Sequence, residues 1–143
     1  MTNDAVPDRT VLEGAIRDAL ADEPAAVAAY LFGSVARGTA GPLSDIDLGL
    51  LLADGTRADD PVCDRAADRL CRRLGTARID VISLAAASMP LRYRVVRDGS
   101  LVWCREAGTL ERFIVQSVLH YLDFKPIRDR AFRAQRYAIL RPL

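Results

Sequence analysis

Two short apolar runs within the first 53 residues are best explained as buried strands. Residues 25–32 are apolar without a break and stop at Gly33, and residues 46–53 are interrupted only by Asp47 and Gly49 before the turn sequence Asp54-Gly55. Apolar runs of this length between turn residues are typical of strands covered on both faces. Neither run approaches the roughly 20 residues of a membrane span, so no membrane association is expected.

Helical spacing of apolar residues appears on both sides of these runs. The predicted first helix spans Arg9–Ala21, and its apolar face comprises Val11, Leu12, Ala15, Ile16, Ala19 and Leu20. Another helix is expected from Pro61 to Leu74, where Gly75 ends it. Further strands are predicted at residues 77–84 and 101–105, residues 85–98 are compatible with a helix interrupted near Pro90, and two helices are expected at 109–122 and, after Pro126, to about 140.

Strands that alternate with helices indicate an α/β (α+β) fold with a small mixed sheet flanked by helices. At 143 residues we expect a single domain, residues 1–143, with a core at about 9–105 and C-terminal helices at about 109–140. The net charge of +1 argues against a protein that coats DNA or membranes. The polar N-terminus resembles no secretion signal, so a cytoplasmic location is expected.

Gly33-Ser34 follows the first strand at the point where a helix begins. A glycine without Cβ lets a phosphate approach the backbone closely. The free N–H groups of such a turn and the Ser34 hydroxyl can donate hydrogen bonds to that phosphate. Arg37, one helical turn further on, can bind the same anion through its guanidinium group.

Two aspartates, Asp45 and Asp47, open the second strand. Their spacing of two residues puts both carboxylates on one face of the strand. A third acid, Asp80, lies in the next predicted strand and would be adjacent if the two strands are neighbours. Paired carboxylates at the start of an apolar strand repel each other and have no folding rationale, but they can share a divalent cation.

The segment from Leu31 to Leu48 resembles the signature of the polymerase-β-like nucleotidyltransferase superfamily: Gly33-Ser34, ten residues, then Asp45-x-Asp47, with Ala36-Arg37-Gly38 after the serine and Ser44 before the first aspartate. Asp80 matches the third acid of that family. The chain is most similar to the minimal MNT-type antitoxins that are paired with HEPN ribonuclease toxins, which the C-terminal sequence from Tyr121 to Pro126 also resembles.

The resemblance implies a polymerase-β-like fold and a transferase that moves AMP from ATP to a tyrosine hydroxyl of a cognate HEPN toxin, silencing its ribonuclease activity. Gly33, Ser34, Arg37 and Ser44 are then expected to bind nucleotide. Asp45, Asp47 and Asp80 are expected to be catalytic and to bind Mg²⁺, with two ions at the site.

Two other functions stay open from the sequence. The protein could neutralise a toxin by direct binding, with a secondary nucleotide site, or transfer nucleotides to a small molecule, although only about 60 residues follow the core for substrate binding. Residues 125–143 carry a local charge of +5, from six basic residues and Asp129. That segment is either a solvated helix face or a docking surface for an acidic partner or for RNA held by a toxin.

Overall fold

The computed structural model describes residues 7–38, 45–76 and 78–140. Its elements in chain order are α1 (Arg9–Ala21), β1 (Ala26–Phe32), α2 (Gly33–Arg37), β2 (Ile46–Leu52), α3 (Val62–Leu74), β3 (Ile79–Ser83), α4 (Met89–Asp98), β4 (Ser100–Cys104) and α5 (Ala107–Leu140). None of the helices in these ranges is long and apolar enough to cross a membrane.

The four strands form one mixed sheet in the order β3-β2-β1-β4. β1 is antiparallel to both β2 and β4, and β2 is parallel to β3. The expected small mixed sheet is therefore confirmed. Because β2 and β3 run in the same direction, their N-terminal ends lie at the same edge of the sheet.

Helices cover both faces of the sheet. In β2 the side chains of Ile46, Leu48 and Leu50 pack in one buried cluster with α1 and α3. Leu51 packs in a second cluster that contains Val95 of α4 together with Leu110 and Phe113 of α5. Since side chains alternate along a strand, Asp47 lies on the same face as Leu51, the face that α4 and α5 cover.

Three details differ from the sequence predictions. α4 begins only at Met89, so Pro90 lies in its first turn and does not interrupt a helix over residues 85–98. α5 is one helix with Pro126 inside it, so the predicted break into two helices was wrong. Residues 125–127 are exposed, and water can bind the Leu122 carbonyl that proline leaves without a donor. Val11 was predicted on the apolar face of the first helix but is 56% exposed. Its side chain is rotated by about 100° around the helix axis from Leu12, which lies on the buried face of α1.

A buried glutamate joins the end of α1 to α3. The Glu23 side chain is 3% exposed and accepts hydrogen bonds from Nε and Nη2 of Arg65, both at 2.9 Å, while Nη1 of Arg69 lies 3.3 Å from its Oε1. The hydrogen bonds from Arg65 lower the pKa of Glu23 below its ordinary value of 4.5. Arg105, just after β4, donates to the backbone carbonyls of Leu20, Ala21 and Glu23. These contacts fix α1 against α3 and β4.

We expect Glu23→Gln to lower the free energy of unfolding by about 2 kcal/mol at neutral pH, because it removes a buried charge that two arginines stabilise. The carboxylate has a lowered pKa in the folded state. Its contribution is therefore complete above pH 4.5 and is lost as the pH falls through the lowered value. Urea unfolding of both proteins across the acidic range measures this dependence.

The matched control is Asp68→Asn, which breaks an exposed pair with Arg72 on the surface of α3. That change should alter stability by less than about 0.5 kcal/mol. A Glu23→Gln effect no larger than the control, or one that stays constant with acidification, would contradict this role of Glu23.

Candidate active site

The turn after β1 brings the backbone close to a carboxylate. Gly33 has a φ of +73° and begins α2 directly after Phe32. A Cβ at this position would overlap Oδ2 of Asp47. Two features favour glycine at residue 33: the left-handed backbone conformation, and the Asp47 carboxylate, which would have to move to admit a Cβ.

The strand register brings Asp47 and Asp80 together. Asp47 is paired with Phe32 on β1 and with Asp80 on β3, so β3 is the neighbour of β2, as expected. Paired residues of adjacent strands point to the same face of the sheet. Asp45 lies two residues before Asp47, at the start of β2. Asp45 and Asp80 are exposed, whereas Asp47 is half-buried beside Gly33.

These three aspartates fit a divalent cation by donor type, and the strand register places two of them, Asp47 and Asp80, side by side. Carboxylate oxygens are the protein ligands that Mg²⁺ prefers, usually in combination with phosphate oxygens and water. In the ranges that the structure describes, no three His, Cys, Asp or Glu side chains are already gathered closely enough to bind a metal ion. Like charges repel, and a divalent cation bound between the carboxylates would offset that repulsion.

The remaining predicted site residues surround the same turn. Ser34 is half-buried in α2, directly after Gly33, and both Ser34 and Asp47 make further polar interactions. Arg37 is the last residue of α2, and only its backbone is described. Ser44 lies outside the described residues.

A cavity of about 180 Å³ adjoins Gly33 and Asp47. Residues of α4 and its C-terminal cap form its other wall: Leu91, Arg94, Val95, Asp98 and Gly99. The sequence analysis missed Arg94 and Asp98, two charged residues that line this cavity together with Asp47. These two residues are four positions apart and lie on the same helix face as Leu91 and Val95. That pattern was the feature of the sequence from which they could have been identified.

Two tyrosines hold α4 against α5. The rings of Tyr93 and Tyr121 are stacked with their centroids 3.9 Å apart and an interplanar angle of 5°. Arg97 covers the outer face of Tyr93 and Arg128 that of Tyr121, each guanidinium carbon 5.5 Å from the ring centroid. This four-membered stack fixes α4 in place, and with it Arg94 and Asp98 of the cavity wall.

Comparison with known proteins shows the family of this chain. Residues 15–107 match the family model of the polymerase beta nucleotidyltransferase domain. The protein adenylyltransferase MntA of Shewanella oneidensis is 32% identical over 100 residues, which cover 70% of this chain and 69% of MntA.

Two solved structures extend the likeness to most of the chain. A toxin–antitoxin crystal structure with AMP-PNP superposes with a TM-score of 0.72 at 30% identity, covering 85% of this chain and 96% of the other. A structure of a tri-AMPylated HEPN toxin of S. oneidensis in complex with MNT antitoxin gives 0.69 at 26% identity, covering 89% and 98%. The polymerase-β-like fold predicted from the sequence is thus confirmed. The chain belongs to the polymerase-β nucleotidyltransferase family, in its MNT-type antitoxin branch, and is a nucleotidyltransferase.

Proposed function

We propose that this protein, as one minimal domain over residues 1–143, transfers AMP from ATP to a tyrosine hydroxyl of a cognate HEPN toxin and thereby inactivates the toxin. The observation that carries the proposal is the contact of Gly33 with Asp47, which in turn lies in register with Asp80. A turn with the backbone geometry suited to phosphate binding then lies beside two neighbouring carboxylates, which supports the proposal. The names of the similar proteins, a protein adenylyltransferase and an antitoxin complexed with an AMPylated toxin, support the choice of acceptor.

In this mechanism the backbone of Gly33 and the Ser34 hydroxyl bind the triphosphate, and Arg37, Arg94 and Ser44 add positive charge or hydrogen bonds around it. Asp45, Asp47 and Asp80 would hold Mg²⁺, which when bound neutralises phosphate charge and lowers the pKa of the attacking hydroxyl. Asp80, on the outer strand β3, accepts the proton of the tyrosine hydroxyl. The tyrosine oxygen forms a bond to the α-phosphorus as the bond to the bridging oxygen breaks, and pyrophosphate leaves.

Substitution of the acids is the first test. Asp45→Asn, Asp47→Asn and Asp80→Asn should each reduce AMP transfer by about a thousandfold, because each removes charge that stabilises the transition state. Transfer is measured with ATP labelled at the α-phosphate and the purified HEPN partner. Asp68→Asn on the exposed face of α3 is the control and should keep full activity. Label transfer at the wild-type rate in any of the three variants would refute the role given to that acid.

Substitution of the turn glycine tests the contact with Asp47. Gly33→Ala should reduce transfer by about a hundredfold, since the new Cβ displaces the Asp47 carboxylate from its position. Gly75→Ala is a matched control, because Gly75 has a similar φ of +67° but no atom within 4 Å of the added Cβ. Both variants carry backbone strain of about 1 kcal/mol, but only Gly33→Ala should lose activity. Equal activity in the two variants would rule out the proposed function of the contact.

Neutralisation by direct binding is the second candidate, and the surface of α5 favours it. Val115, Leu119 and Leu122 are each more than half exposed and lie on one helix face by their spacing. In this case Asp45→Asn and Asp47→Asn would still protect cells from the toxin. If these variants still bind the toxin but no longer protect cells, the toxin is neutralised by AMP transfer and not by binding alone.

The basic C-terminal part of α5 leads to a prediction for the rate at which the protein binds a partner. Arg133 and Arg136 are exposed, so reversing both charges to glutamate should slow binding to an acidic partner by about tenfold or more at low salt. Binding of ATP should stay unchanged. Association rates measured by stopped flow that do not differ from wild type would show that this end of the helix is only a solvated face.

A further inference from the structure

A second cavity lies at the opposite end of the sheet from Asp45, Asp47 and Asp80. It has a volume of about 540 Å³, against about 180 Å³ for the cavity beside Asp47. Its walls are the segment after β2, the end of β3 and the first turns of α4 and α5. Ala53 at its rim is six positions after Asp47 along an extended chain, a distance of roughly 20 Å. The cavity is therefore distinct from the active site.

Arg92, in the first turn of α4, lines this cavity, and its Nε is buried without a hydrogen-bond acceptor in the described part of the chain. Buried polar groups are almost always satisfied, and a cationic N–H without an acceptor is the least favourable case. An acceptor oxygen from a bound ligand would satisfy it.

A second arginine lines the same cavity. Arg112 uses Nη2 for both hydrogen bonds it makes with described residues, to Thr109 Oγ1 at 3.2 Å and to Asp54 Oδ2 at 3.4 Å. Its other N–H groups face no described acceptor. Arg92 lies in the first turn of α4, where the helix dipole also favours negative charge.

The acidic residues of the cavity rim already have partners. Asp54 is paired with Arg112, and Asp60 accepts the backbone N–H of Val62 and lies 3.6 Å from Arg65. Neither carboxylate pairs with Arg92. The cavity lining has three basic residues, Arg57, Arg92 and Arg112, against two acidic ones, Asp54 and Asp60, so its net charge is positive. Guanidinium groups bind phosphate oxygens in a bidentate manner.

The rest of the lining is partly apolar, with Leu51 and Phe113 among its members. A volume of about 540 Å³ lies in the range of small-molecule sites and exceeds what an inorganic ion needs. We propose that this cavity is a second ligand site, which binds the phosphate group of a small organic monophosphate of nucleotide size through Arg92 and Arg112, with its apolar part against Phe113.

Titrations with AMP, inorganic phosphate and adenosine, followed by ¹H–¹⁵N spectra of the full chain, test this site. AMP should shift the amides of Thr109, Arg112 and Phe113, phosphate should shift them more weakly, and adenosine should leave them unchanged at the same concentration. AMP shifts confined to residues around Gly33 and Asp47 would overturn the proposal.

Variants separate this site from the active site. Arg92→Met should weaken AMP binding at this cavity at least tenfold and should leave AMP transfer at saturating ATP unchanged, whereas Arg72→Met on the surface of α3 should change neither. Arg112→Met, at an exposed residue, gives an independent test if Arg92→Met unfolds. Binding of AMP to the Arg92 and Arg112 variants with wild-type affinity would refute the second site. Loss of AMP transfer in the Asp45, Asp47 and Asp80 variants concerns the proposed function and does not test this site.

Discussion

Burial of β2 forces carboxylates together at one end of the sheet. Ile46, Leu48 and Leu50 are almost fully buried against α1 and α3, and a shift of one residue would bring every one of them to the other face. The register that buries them also places Asp47 beside Asp80. The free energy of the apolar core thus holds two like charges in neighbouring positions, which is the condition for sharing a cation between them.

The same arrangement explains why a glycine follows the first strand. Phe32 is the partner of Asp47 across β1 and β2, so the next residue of the chain passes directly in front of the carboxylate. A residue with a Cβ would displace that carboxylate from its position. The turn that is expected to bind phosphate and the acid that is expected to bind metal are therefore parts of one packing arrangement.

Much of this arrangement could be predicted from the sequence, because it depends on local patterns. Continuous apolar runs predicted the first two strands, and the positions of Gly33, Asp45 and Asp47 predicted that the candidate site lies where the first strand ends and the second begins. The adjacency of Asp80 needed only the assumption that β3 is beside β2, and the structure confirms that placement. The roles of these residues, including those of Arg37 and Ser44, remain predictions.

What the sequence did not reveal depends on contacts between distant segments. Arg94 and Asp98 reach the active-site cavity because α4 is held by the stacking of Tyr93 on Tyr121 of α5, a contact that no local pattern encodes. Pro126 predicted a break between two helices, but α5 continues through it as one helix. The cavity lined by Arg92 and Arg112 likewise forms only when the ends of β2 and β3 meet the first turns of two helices.

Binding of Mn²⁺, followed by electron paramagnetic resonance in the presence of an ATP analogue with a methylene group between the α- and β-phosphorus atoms, tests the carboxylate cluster most directly. The wild-type protein should bind Mn²⁺ together with the analogue, and the Asp47→Asn protein should bind it at least tenfold more weakly with its fold intact. Equal Mn²⁺ affinity in the two proteins would show that these carboxylates do not form a metal site.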